Sequence, residues 1–296
     1  MPSFSLDRFR NDRLFAQGQR ALDDRDLDAA IEHFERYVSA DDGNPSAWFN
    51  LGLAYKLNAD WPNSVKANRR AAALDQAGEE AHWNLGVAAT ALRDWATARE
   101  AWRGLGLDPP PGDGPPEFAN LGITPVRLNA TGDGTEVVWG TRVDPCRARI
   151  ESVPLPESGH RWGDVILHDV VPNGRRTIGE RTWSVFDELI RMDPSASATF
   201  ESNLTVPTDE DGAELDERFA ALDAGAEDWT GSIEMLCAQC SVSDVHRHAS
   251  PDDPTPIRMV VRRYGFGGDR EVIASALEGW SRAGAGRAFE PLRPIG

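Results

Sequence analysis

Four residues in the last quarter of the chain have the types and spacing of a metal site: Cys237 and Cys240 as a C-x-x-C, then His246 and His248. Two thiolates and two imidazoles make a full tetrahedral set for zinc, and C-x-x-C is the usual knuckle geometry. Such a site is closed and structural, and it would pin an irregular loop between strands. A redox C-x-x-C and a plain buried pair are the competing readings, and the redox one lacks a helix after Cys240 to lower a thiol pKa. A second group of reactive types, Cys146, His160, Asp164, His168 and Asp169, lies upstream. On a strand, Asp164, Ile166 and His168 share one face, which would let Asp164 orient His168 as a base with Cys146 as nucleophile. A solvated strand face explains Asp164 and His168 more simply, and no glycine-rich phosphate loop or known catalytic spacing accompanies them. No catalytic residue is assigned. Arg258, Arg262 and Arg263 read as salt-bridge partners within an acidic domain rather than as an anion site.

The elements that must position these residues follow from pattern. The run Pro109-Pro110-Pro111-Gly112-Asp113-Gly114-Pro115-Pro116 is a stiff linker, taken as 109–117, and a domain boundary. Residues 118–195 read as a β-rich, barrel-like domain, with strands at Val137 to Val143, Ala148 to Val153, Asp164 to Val170 and Thr182 to Met192. Turns at Gly132-Asp133-Gly134, Ser158-Gly159 and Asn173-Gly174 punctuate them. Residues 196–296 read as a ferredoxin-like α+β domain that carries the zinc loop. Its strands fall at Ala198 to Val206, Gly231 to Leu236 and Ile257 to Tyr264, and its helices run from Thr208 to about Ala224 and from Asp269 to Ser281.

The first 108 residues repeat. Residues 1–10 form a leader; beyond it Gly18, Gly52 and Gly86 stand 34 residues apart. Asp26, Asp60 and Asp94 recur at the same interval, as do Ala30, Ser64 and Ala98, and Phe34, Asn68 and Trp102. A small residue in the first column lets one helix approach the next, and Asp is a favoured N-cap for the second helix of each unit. Asn44-Pro45 opens the second unit with a capping residue and a proline at the first helical position. The columns, with Trp48, Leu51, Gly52 and Tyr55 as the best single match, resemble the tetratricopeptide repeat (TPR) family over residues 11–108. The resemblance implies three pairs of antiparallel helices stacked as a solenoid, whose first helices line a concave, peptide-binding groove. The groove residues would be Phe15, Gln19, Phe49, Asn50, Leu53, Trp83, Asn84 and Val87. The aromatic ladder Phe15, Phe49 and Trp83 would pack apolar side chains, and the amides would bond a peptide backbone; packing of the rings within the protein is the alternative. The subclass that grips chaperone C-terminal carboxylates needs basic residues where Phe15, Glu80 and Asn84 stand, so that only Asn50 survives of the clamp. The C-terminal region is similar only to uncharacterised parts of bacterial TPR proteins.

Composition narrows the rest. The net charge of -17 argues against a nucleic-acid partner, which requires a basic stripe. Three cysteines do not make a disulfide framework. Neither a signal-peptide apolar stretch nor an eighteen-residue apolar run occurs, so the expectation is no membrane association and a cytoplasmic location. Lys56 and Lys66 are the only lysines, which fits GC-rich, bacterial coding. The sequence therefore reads as an α+β multidomain adaptor that binds a protein segment through its solenoid, with a structural zinc as the cofactor expectation and the oligomeric state open. The alternative is a hydrolase-like enzyme in the C-terminal region, with the repeats recruiting its substrate or regulator.

Overall fold

Asp26, Asp60 and Asp94 each start a helix. Their carboxylates accept the backbone N–H of Ala29, Asn63 and Thr97 at 3.2, 3.3 and 3.1 Å, as the cap chemistry requires. The computed structural model describes residues 3–75, 78–230 and 261–295. It divides into two compact units, Met1–Ala119 and Asn120–Gly296.

The first unit is three helix pairs: α1 (Ser3–Asp23) with α2 (Leu27–Ala40), α3 (Pro45–Leu57) with α4 (Trp61–Leu74), and α5 (Glu79–Ala91) with α6 (Trp95–Gly104). The glycine column works as the spacing implies. A Cβ on Gly18 would stand 2.7 Å from the Phe34 ring, one on Gly52 2.3 Å from the Asn68 amide, and one on Gly86 2.2 Å from the Trp102 ring. Asn68, the odd member of its column, is held by polar bonds: its amide N–H donates to the Ser64 carbonyl at 2.9 Å, and the Ser64 hydroxyl donates to the Gly52 carbonyl at 2.8 Å. Each pair turns through a left-handed residue that is not glycine, namely Arg25, Ala59 and Arg93, with φ between 55° and 61°. That conformation costs an L-residue roughly 1–2 kcal/mol, and the repeat accepts it three times to reach its aspartate cap.

After α6 the chain does not run off as a spacer. The buried Arg99 guanidinium donates to the carbonyls of Pro110 and Gly114, each at 2.7 Å. The expected linker is thus tied to the third repeat, because a buried guanidinium must find acceptors.

In the second unit, β1 (Ile123–Leu128), β2 (Glu136–Arg142), β3 (Arg147–Ile150), β4 (Val165–Ile178) and β5 (Arg181–Asp193) pair successively and antiparallel. The ladder then returns from β5 to β1 in parallel at Val126↔Phe186 and Arg127↔Asp187. Val126, Leu128, Val138, Ile150 and Ile166 fill the space they surround. Asn173-Gly174, expected as a turn, lies inside β4, whose register against β5 shifts repeatedly between His168 and Arg175. The shifts absorb residues that break the strand pattern.

The remaining elements are β6 (Ala198–Thr205), α7 (Asp209–Ala220), β7 (Ala224–Asp228), β8 (Val261–Gly268), α8 (Arg270–Ala283), β9 (Ala288–Phe289) and β10 (Arg293–Ile295). The sheet order is β10-β6-β8-β7, antiparallel throughout, with β9 also on β6. Leu215, Phe219, Ile273, Leu277 and Trp280 of the helices share one core with Phe200, Leu204, Tyr264 and Phe266 of the sheet. Thr208 caps α7 in a reciprocal box with Asp211, and α7 ends four residues before its expected limit. The strand expected at Gly231 to Leu236 lies outside the described residues, while β1 and β7 were not foreseen.

Candidate functional site

The first helix of the second repeat carries the site. On α3, residues Ser46, Phe49, Asn50, Leu53 and Leu57 fall on one arc at the helical period. Towards the C-terminal end of α3, Asn50, Leu53 and Leu57 meet Gln19, Leu22, Asp23 and Arg25 across a cleft of about 580 Å³. Towards its N-terminal end, Pro45, Ser46 and Phe49 face Ala71, Asp75, Gly78, Glu80 and Ala81 across a smaller cleft of about 240 Å³. Three expected groove residues, Gln19, Asn50 and Leu53, therefore line one cleft, and Phe49 lines the other.

The aromatic ladder is divided between packing and surface. Phe15 meets Phe34 and Tyr37 edge-on at 5.8 and 5.6 Å, and Trp83 packs on Trp102 at 5.8 Å. Phe49 rests on Ala71, Ala72 and Ala81. All three rings are half-buried. Val87 is fully buried and Asn84 nearly so, so neither presents a side chain to an open cleft. Leu22, Leu57, Asp75 and Glu80 line the two clefts without being among the expected groove residues. A helical continuation from Leu53 to Leu57, four residues on, was the available signal for one of them.

The reactive types of the second unit are placed otherwise than a catalytic reading asks. Asp164 is fully buried, and its oxygens accept the backbone N–H groups of Arg161 and Ser195 at 3.0 and 2.6 Å. It braces two loops and does not orient His168. The His168 Nδ1 bonds the Asp169 carbonyl at 2.7 Å, its Nε2 has no hydrogen-bond partner among the described residues, and burial pushes the ring down to about 4. Cys146 is buried beside it in the turn just before β3, its carbonyl accepting the His168 N–H at 2.8 Å. Arg262 and Arg263 are ion-paired with Asp209 and Glu201, at 2.7 and 2.8 Å, as expected of an acidic domain. Arg258 lies outside the described residues, as do Cys237, Cys240, His246 and His248. Among the described residues no group of three or more His, Cys, Asp or Glu is arranged to hold a metal.

One titratable cluster was not legible. His160 Nε2 meets Glu188 at 2.7 Å and its Nδ1 meets the Ser158 carbonyl at 3.0 Å. Glu136, close by, accepts the Leu155 N–H at 3.0 Å. Burial raises Glu136 to about 7, against the opposing bonds from Ser158 and Leu155. Burial alone would lower His160, but the bond to Glu188 and that carboxylate's charge outweigh it, so its pKa rises. Between pH 4.5 and 7 the folded chain therefore holds more protons at Glu136 than the unfolded chain, and this contribution to stability is lost as the pH rises through that window. His160 loses its contribution in the same direction, above pH 6.5. His168 acts oppositely: its lowered pKa makes stability fall as the pH drops from 6.5 towards 4. We expect Glu136→Gln to gain stability relative to the parent by about 1–2 kcal/mol between pH 5 and 8. Urea midpoints at both pH values measure it; an unchanging difference would contradict the burial-raised carboxyl.

No protein-family model matches the chain, and no curated protein matches it. Among solved structures it is similar to the TPR2B domain of yeast Sti1 in a pHsp70 complex, with 14% identity over 32% of this chain and 77% of that one and a TM-score of 0.31. It is similar also to the Arabidopsis OM64 TPR domain, with 16% identity over 34% and 85% and a TM-score of 0.32. For the first TPR of Spaghetti (RPAP3) bound to the HSP90 peptide SRMEEVD, the identity is 24% over 35% and 83%, with a TM-score of 0.31. The helix pairs at a 34-residue interval make residues 11–108 of this chain a TPR segment.

Proposed function

We propose that the chain is a protein-interaction adaptor whose repeat groove holds a segment of a partner protein. The cleft between α1 and α3 carries this reading: Leu22, Leu53 and Leu57 give it apolar contacts, Asp23 and Arg25 charged ones, and the amides of Gln19 and Asn50 stand ready for a peptide backbone. The half-buried Phe49 ring lines the neighbouring cleft on the same helix. A hydrolase-like enzyme in the second unit has less support, since Asp164 is committed to backbone groups. Among the described elements, the β-α-β-β-α-β succession from β6 to β9 supports a ferredoxin-like reading of that second sheet.

A photo-crosslinking residue at position 53 tests the adaptor reading in the host extract, with position 36, on the exposed side of α2, as control. The expected result is a defined protein adduct from position 53 only, with Leu53→Asp weakening capture of that same protein at least 10-fold. Equal labelling from both positions would sink the reading.

A further inference from the structure

The two clefts on α3 differ in chemistry, and the difference says what kind of segment fits across them. The larger sets Leu22, Leu53 and Leu57 beside the amides of Gln19 and Asn50 and the opposite charges of Asp23 and Arg25. The smaller combines the Phe49 ring and the aliphatic surface of Pro45, Ala71 and Ala81 with two carboxylates, Asp75 and Glu80, and among the described residues no basic side chain lines it. The Gly78 N–H donates to Asp75 Oδ1 at 3.2 Å and so fixes that carboxylate at the rim. Methylenes of a long side chain bury well on such walls while its charged tip stays near water. A guanidinium or ammonium there gains contact with both the phenylalanine ring and the acids, whereas an acidic ligand would meet like charge. Because Phe49 and Leu53 lie one turn apart on α3, and Leu57 one turn further, the two anchoring points are roughly 6–12 Å apart. Two to four residues of extended chain span that distance.

Resting on the groove reading, we propose that the ligand is a partner-protein segment with an arginine or lysine two to four residues from an aliphatic side chain. The cation enters the smaller cleft and the aliphatic residue the larger. The net charge of -17 favours the same sign of ligand at long range.

Selection of a displayed random decapeptide library on the full chain provides the test. The enriched sequences should carry Arg or Lys two to four positions from Leu, Ile or Met. A resynthesised peptide with citrulline in place of its arginine should bind at least 5-fold more weakly to the parent chain. It should bind equally well as the arginine form to the Asp75→Asn, Glu80→Gln double variant, whose thermal melt serves as the fold control. Affinity of the arginine peptide should also fall with added salt. Enriched peptides without a basic preference, or parent binding indifferent to citrulline, would overturn the cationic assignment and leave the groove standing. Selected peptides that bind the Leu53→Asp protein undiminished would overturn the groove itself.

Discussion

Gly86→Ala should lower the stability of the repeat unit by about 2–3 kcal/mol, although alanine is the better helix former. In an exposed helix the exchange would gain roughly 0.5–1 kcal/mol. Here the new methyl would stand 2.2, 2.3 and 2.7 Å from three atoms of the Trp102 ring. Real carbon contacts do not reach such distances, so the ring or its helix must move. Trp102 is fully buried and packed against Trp83 at a tilt of 57°, which leaves the ring little room to retreat. Overpacking a close-packed site typically costs about 1–3 kcal/mol and occasionally more. Two companions grade the effect. At Gly18 the corresponding contacts with Phe34 are 2.7 to 2.9 Å, so Gly18→Ala should cost less; at Gly43 the nearest atom is 3.5 Å away, so Gly43→Ala should be nearly neutral. Urea unfolding followed by tryptophan fluorescence would rank the three, and indistinguishable midpoints would refute the close-approach account.

Asp144→Ala should be the most damaging single truncation in the β1–β5 region, at about 3–5 kcal/mol. Its carboxylate is wholly buried in the turn between β2 and β3. There it accepts the Cys146 and Arg147 backbone N–H groups at 2.9 and 2.7 Å and the Arg147 Nε at 2.6 Å. Removing one member of a buried ion pair leaves the other charge desolvated, which is the expensive half of the exchange. Taking both away is cheaper, so Asp144→Ala combined with Arg147→Met should recover at least half of the loss. The same urea experiment checks this, and a single-variant loss below about 1 kcal/mol would show that the pair contributes little.

Legibility in the sequence followed periodicity. The helix pairs could be read because Gly18, Gly52 and Gly86 face their partners in register, and a column repeated three times outweighs local ambiguity. The left-handed turns could not be read, since Arg25, Ala59 and Arg93 are not residues that advertise positive φ. Long strands with alternating burial, such as β6, were visible. β1 was not, because five of its six residues are buried and it offers no alternation to detect. β7 is short and carries two acids, Glu227 and Asp228, which disguise it. In the site, Gln19, Asn50 and Leu53 followed from the repeat register, whereas Asp75 and Glu80 come from the end of one repeat and the start of the next. The pairing of His160 with Glu188 joins residues 28 apart, and no local pattern announces it.

The grip of Arg99 on the carbonyls of Pro110 and Gly114 decides where the solenoid can be cut. A fragment ended at residue 108, where the repeat pattern stops, would strip both acceptors from a guanidinium that has just 5% of its residue surface exposed. A fragment carried through Pro116 retains them. The proline-rich stretch thus acts as the clasp of the last repeat, and anyone isolating the repeats should draw the line beyond it.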